Sequence, residues 1–164
     1  MRKQLLPFIG VGVVIAAAMV AAVFWVQRGA HLALEGSIQK VRTLGVEQAG
    51  SIAVADFRFV NSSNYPFIVR EVTVSVEDAG GRTLEGMVVS EGDAKRLFEY
   101  YPVLGQKYNE SLVMRTRIAP RQSMDRMIAA RFEIPEKQLQ ERKRLRIRVE
   151  DVDGAVSETV EGGR

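Results

Sequence analysis

From Leu5 to Val26 the chain runs twenty-two residues without a charge; beyond residue 31 it turns into short stretches in which apolar and polar positions alternate. The first pattern predicts a membrane span, because a helix of this length at about 1.5 Å per residue covers the roughly 30 Å hydrocarbon core. Arg2 and Lys3 precede the run and Arg28 alone follows it closely. The positive-inside bias therefore keeps residues 1–4 in the cytoplasm and sends the C-terminal part across the inner (cell) membrane, to the periplasm or cell exterior. Val20, Ala21 and Ala22 also offer small residues for a signal peptidase, but the run exceeds a signal-peptide core, and cutting after Ala22 would leave Val23 to Val26 exposed. An uncleaved single-pass anchor, with Trp25 at headgroup level, fits the residues better. Gly12 with Ala16, Ala17 with Ala21 and Ala18 with Ala22 lie four apart, the spacing that lets two such helices self-associate.

After a connector over residues 27–30, the pattern predicts one external domain over residues 31–164. Val72, Val74 and Val76 alternate with Glu71, Thr73, Ser75 and Glu77, the period-two mark of a half-buried strand. Leu112, Met114 and Ile118 alternate in the same way with Arg115 and Arg117. Ile128, Ala130, Phe132 and Ile134 alternate with Arg131 and Glu133, and Leu145, Ile147 and Val149 with Arg144, Arg146 and Arg148. Further strands are expected near 32–42, 52–60, 83–89 and 155–160, with Ala53, Ala55, Phe57 and Phe59 inward and Asp56 and Arg58 outward. Turn residues separate these runs at 61–66, 78–81, 119–122 and Asp153-Gly154. About eight short strands at this spacing predict an all-β, immunoglobulin-like antiparallel sandwich. One helix interrupts it: Ser90 and Asp93 are spaced as a capping box, and Ala94, Leu97, Phe98 and Tyr101 follow at helical spacing before Pro102. This helix is expected over an open end or edge of the sandwich, with Lys95, Arg96 and Glu99 in water. A second short helical turn is expected from Pro135 towards Arg142.

The stretch Phe57-Arg58-Phe59-Val60-Asn61-Ser62-Ser63-Asn64-Tyr65-Pro66-Phe67, followed by a valine-rich strand and Gly86, resembles the opening of the water-stress and late-embryogenesis-abundant type 2 domains. In that family a strand ends in an Asn-rich turn and a Pro-aromatic or Pro-aliphatic pair starts the next. The resemblance spans about 30 residues; Ser62 stands where the family often has Pro, and the helix after Ser90 is additional. It implies an immunoglobulin-like sandwich behind a membrane anchor.

Charge narrows the partners. The formal net charge is +3, but three of the 23 basic residues (Arg2, Lys3 and Arg28) lie in the first thirty positions, which hold no acid. The external domain carries 20 basic and 20 acidic residues and is formally neutral, so no nucleic-acid partner is expected. With no cysteine, there is no disulfide frame, thiolate nucleophile or Cys-ligated metal. His31 is the sole histidine, and no phosphate loop, nucleophile elbow or metal-binding helix appears. The expectation is a non-enzyme without cofactor or metal. Asp151-Val152-Asp153-Gly154 has the start of a calcium loop, yet Asp-Gly between two strands is a hairpin signal and the later acidic positions are missing.

Two candidate surfaces remain. Tyr100, Tyr101 and Tyr108 cluster around Pro102 and Gly105 in the least regular part of the domain, where aromatics serve recognition or plug the end of the sandwich. Arg115, Arg117, Arg144, Arg146 and Arg148 lie on outward strand positions; in one sheet they would form a patch for phosphate or carboxylate, unless neighbouring acids neutralise them. The sequence thus predicts a membrane-anchored interaction module with an envelope protein partner. The alternatives are an anionic lipid- or glycan-binding or stress-protective envelope protein, and a carboxylate-based hydrolase.

Overall fold

The computed structural model describes residues 17–20, 34–46 and 49–162. Residues 17–20 are helical. The rest of the predicted span over 5–26, its connector and His31 lie outside the described residues, among which no helix is long and apolar enough to cross a membrane.

Beyond them the elements are β1 (Leu34–Val46), β2 (Gly50–Asn61), β3 (Phe67–Glu77), β4 (Thr83–Val88), α1 (Glu91–Tyr100), a 3₁₀ turn (Pro102–Leu104), β5 (Arg117–Ile118), β6 (Ser123–Phe132), α2 (Glu136–Gln140), β7 (Arg144–Asp151) and β8 (Val156–Val160). The fold is mostly β. One antiparallel sheet runs in the order β1-β2-β6-β4-β3-β7-β8, with β5 beside β3. It folds over at β4, whose residues Thr83–Gly86 pair with β3 while Met87 and Val88 pair with β6. Gly86 sits at this crossing against the Phe132 ring, and a Cβ there would stand 2.6 Å from the ring. Side-chain loss at this point lets the strand pass from one layer to the other.

The alternation sets the core. Ala53, Ala55, Phe57 and Phe59 of β2, Ile128, Ala130 and Phe132 of β6, Val74 and Val76 of β3 and Leu145, Ile147 and Val149 of β7 meet in one buried cluster. At the other margin β1 and β8 approach each other without forming a ladder. The Leu34 N–H donates to Ser157 Oγ at 2.7 Å, and Gly36 lies so close to Thr159 and Phe59 that any side chain would collide with them. The sheet is curled and remains open.

Three features differ from the sequence expectation. The helix α1 lies over the outer face of the β1-β2-β6 layer rather than over an end or edge. There Ala94, Leu97 and Phe98 join Leu44, Ile52, Val54, Met127 and Ala129 in a second apolar cluster. Its N-terminus does follow the capping signal: Ser90 Oγ accepts from Asp93 N–H at 3.2 Å and donates to the Asp93 carboxylate at 2.7 Å. Asp56, expected in solvent, is buried, because outward on β2 means beneath α1 and the loop after it. Third, residues 112–118 do not form one strand. Leu112 N–H donates to the carbonyl of Met127 on β6, a turn follows, and only Arg117 and Ile118 pair with Ile68 and Phe67 of β3. The segment crosses between layers, so its alternating residues turn with it. Arg115 adopts φ +66° and Met114 points into solvent.

Candidate interaction site

β1 and β2 are paired so that Arg42 stands opposite Val54, and Lys40 opposite Asp56. Arg42 reaches across this register. Its Nη2 donates to Asp56 Oδ2 at 2.6 Å, and its Nη1 donates to the carbonyls of Leu104 at 2.6 Å and Gln106 at 2.8 Å. Asn109 Nδ2 donates to the second Asp56 oxygen at 3.0 Å. The Arg42 and Asp56 side chains are only 10 % and 6 % exposed. The guanidinium also lies 5.0 Å from the Phe98 ring centre and 5.7 Å from that of Tyr108, within cation–π range. One buried ion pair therefore fastens the end of α1, the 3₁₀ turn and the loop to Asn109 onto the sheet.

The three tyrosines belong to this cap. The Tyr101 N–H donates to Leu97 O and ends α1, and Leu104 N–H donates back to Tyr101 O. Leu104 is buried in the cluster below, whereas Tyr100 is 77 %, Val103 78 % and Tyr108 66 % exposed. Tyr101 is also exposed, at 39 %. Between α1 and the loop, Lys95, Phe98, Glu99, Gly105, Gln106 and Lys107 line a shallow depression of about 590 Å³. The cap combines a fixed base with solvent-facing aromatic and apolar groups. Nothing in the alternation of β1 and β2 identified Arg42 and Asp56 as its anchor; opposite charges on neighbouring predicted strands were the available signal.

The five arginines do not form one patch. β7 and β5 pair with opposite flanks of β3, Arg144, Arg146 and Arg148 standing opposite Glu77, Ser75 and Thr73, and Arg117 opposite Ile68. Arg144 and Arg146 both reach Glu77, at 3.1 and 3.6 Å. Arg146 also reaches Glu158 at 3.4 Å and Arg148 reaches Glu150 at 3.6 Å. This is a solvated face with cross-strand partners. Arg115 and Arg117, by contrast, have no carboxylate partner among the described residues and sit where the chain returns to β3.

The remaining polar clusters are structural. Asp151 is buried, accepting the N–H groups of Ile68 and of Asp153, and Gly154 N–H closes the hairpin onto Asp151 O. Its oxygens are thus occupied by backbone, as the hairpin reading requires. No group of three or more His, Cys, Asp or Glu side chains placed to hold a metal occurs among the described residues. Asp125 is held below the ordinary carboxylate range by the Arg58 hydrogen bonds, at 2.7 and 2.8 Å, and Arg58 is correspondingly raised. The backbone N–H of Arg82 lowers Asp78, with the Arg82 guanidinium adding to it.

The chain matches no protein-family model and no curated protein. Among solved structures it is similar to an uncharacterized β-sandwich protein from Clostridium difficile (10 % identity, 77 % of this chain and 84 % of that one, TM-score 0.40). It is similar also to the archaellum periplasmic stator protein FlaG from Sulfolobus acidocaldarius (9 % identity, 77 % and 98 %, TM-score 0.34). The stator complex of FlaF and FlaG from the same organism aligns at 8 % identity over 76 % and 86 %, with TM-score 0.33. Overlap this loose carries no argument about activity.

Proposed function

We propose that this chain is a single-pass, membrane-anchored, non-enzymatic interaction module whose external domain offers the α1 cap to an envelope protein partner. The uncharged run 5–26 supports the anchor and the basic tail its orientation. The observation that carries the recognition surface is the set of exposed Tyr100, Val103 and Tyr108 on a base fastened by Arg42 and Asp56. Large aromatic groups on a fixed base bury much area on binding and lose little further conformational freedom. Tethering to the bilayer raises the effective concentration of a partner in the same envelope, so weak contacts suffice.

An immunoglobulin-like sandwich of the water-stress type remains part of the proposal. Its support is the turn after β2, where buried Asn61 donates to the carbonyls of Tyr65, Ile118 and Ala119 and accepts the Ser63 N–H. An anionic lipid or glycan site on the β7 face has less support, since Glu77, Glu150 and Glu158 neutralise Arg144, Arg146 and Arg148. Replacing Tyr100 and Tyr101 by Ala is expected to remove partner cross-linking in cells while leaving folded yield unchanged. Undiminished cross-linking by the double variant would reject the cap as the surface.

A further inference from the structure

We infer that the end of the domain at which β1 begins rests on the phospholipid surface, and that Arg115, Arg117 and Arg121 bind anionic headgroups there. The inference rests on the anchor proposed above.

Only residues 27–33 separate the apolar run from β1, and seven residues span at most about 25 Å fully extended. The end carrying Leu34 is therefore held close to the bilayer, whereas β3, eleven residues long, carries the 78–82 hairpin about 35 Å farther along the strand direction. The near end is one hydrogen-bonded assembly. Leu34 pairs with Asn61 and bonds Ser157, Asn61 gathers the 61–66 and 118–122 turns, and Val152 N–H donates to Ile68 O. It exposes Tyr65 at 59 % and Val152 at 48 %, an aromatic and an apolar group of the kind that settles at headgroup level.

The three arginines line this end. The Arg115 N–H donates to Val69 O and Arg117 pairs with Ile68. Arg121 donates only to the neutral Asn64 Oδ1, at 3.0 and 3.1 Å. All three are exposed, and none has a carboxylate partner among the described residues, unlike the paired arginines of β7. Unpaired guanidinium groups fork onto phosphate oxygens and carry no competing ion pair to break. Arg115 and Arg121 also hold left-handed backbone, φ +66° and +58°, which Gly adopts more easily. Three acids share this end: Glu35 accepts from Ser62, Asp151 is buried under backbone N–H groups, and Asp153 is exposed. Glu91 and Glu110 line one depression with Arg117 but pair with Lys107 and Arg126, each at 3.5 Å, so the three guanidinium groups remain without an ion pair among the described residues.

The chain has no cysteine, so single cysteines at Val152 and Ala79 can carry a fluorophore in the full-length protein, reconstituted in lipid nanodiscs with headgroup-level nitroxide quenchers. The expected result is quenching at Val152 several-fold above that at Ala79 in discs containing phosphatidylglycerol. Arg115→Gly with Arg117→Gln should at least halve it without lowering Tm. Equal quenching at both positions would overturn the orientation. Strong quenching at Val152 that is unchanged in purely phosphatidylcholine discs, or in the double variant, would overturn the arginine assignment. Loss of Tm in Arg115→Gly would assign that arginine to the fold instead. Flotation of the reconstituted protein with vesicles through an alkaline wash separates the two levels. A chain that fails to float refutes the anchor and this inference together, whereas one that floats with equal quenching refutes this inference alone.

Discussion

The outer faces of the two sheet layers start from the same materials and end differently. On β1 and β2, Arg42 and Asp56 lie beneath α1 and its loop and form one buried pair, in which both Arg42 Nη atoms and both Asp56 oxygens are hydrogen-bonded while Arg42 Nε is left without a partner. On β3, β7 and β8, Arg144, Arg146 and Arg148 share Glu77, Glu150 and Glu158 at 3.1 to 3.6 Å with no helix above them, the arginines 35 to 46 % exposed although Glu77 and Glu150 are only 17 % exposed. Exposed pairs of the second kind contribute about 0 to 1 kcal/mol each, while removing one partner of a buried pair costs about 3 to 5 kcal/mol. The difference lies in the cover and not in the residues. A helix over one face turns an outward ion pair into the buried fastening of that helix and its loop; without a cover the same chemistry pairs charges across the strands of a solvated sheet face.

The largest effect that breaks this contrast is expected from Asp56→Ala, which strands the buried Arg42 charge. Stability should fall by about 3 kcal/mol, a Tm loss on the order of 10 °C for a domain of this size. Thermal unfolding followed by circular dichroism checks it, and joint replacement of Arg42 by Met and Asp56 by Leu should recover most of the loss. Asn61→Ala comes next, at about 2 kcal/mol, since it leaves buried carbonyls of the 61–66 and 118–122 turns without their donor. Denaturant titration with an unchanged slope would show a pure stability effect. The smallest effects belong to the exposed face. Arg148→Ala should change stability by less than about 0.5 kcal/mol and lose even that in high salt.

Acid acts on two other carboxylates, Asp78 and Asp125. Both have depressed pKa values in the folded chain, so their stabilisation is fully present above the ordinary carboxylate range, near pH 4, and is lost as pH falls through the folded values. Tm should decline below about pH 4, and Asp125→Asn should flatten part of that decline. A Tm that rises on acidification would contradict the assignment of these groups.

Local chemistry was legible in the sequence where one element settled the question. The alternations at Val72 to Val76, Ile128 to Phe132 and Leu145 to Val149 became strands with those residues inward, and the capping signal at Ser90 opened α1 one residue later. Asp153-Gly154 became the β7–β8 hairpin. What failed was long-range. Asp56 does point outward from β2, as its position between Ala55 and Phe57 requires, but whether outward means water depends on a helix more than thirty residues away. Leu112 to Ile118 keep a strand-like period while the chain crosses from β6 to β3, because each end satisfies a different neighbour. The arginines of residues 115–117 and 144–148 share one pattern yet flank β3 on opposite sides. Of the cap, Tyr100, Tyr101 and Tyr108 were readable as aromatics in an irregular stretch. Their fastening through Arg42 was not, since it depends on sheet register and loop carbonyls.

The most direct measurement is site-specific photo-cross-linking in cells, with a photoreactive residue placed in turn at Val103 and Tyr108 of the cap and at Arg144 and Glu158 of the opposite face. If the cap is the recognition surface, Val103 and Tyr108 yield one common protein adduct, absent from Arg144 and Glu158 and lost with Tyr100→Ala and Tyr101→Ala. The same adduct from both faces, or an adduct from Arg144 and Glu158 alone, would contradict that assignment.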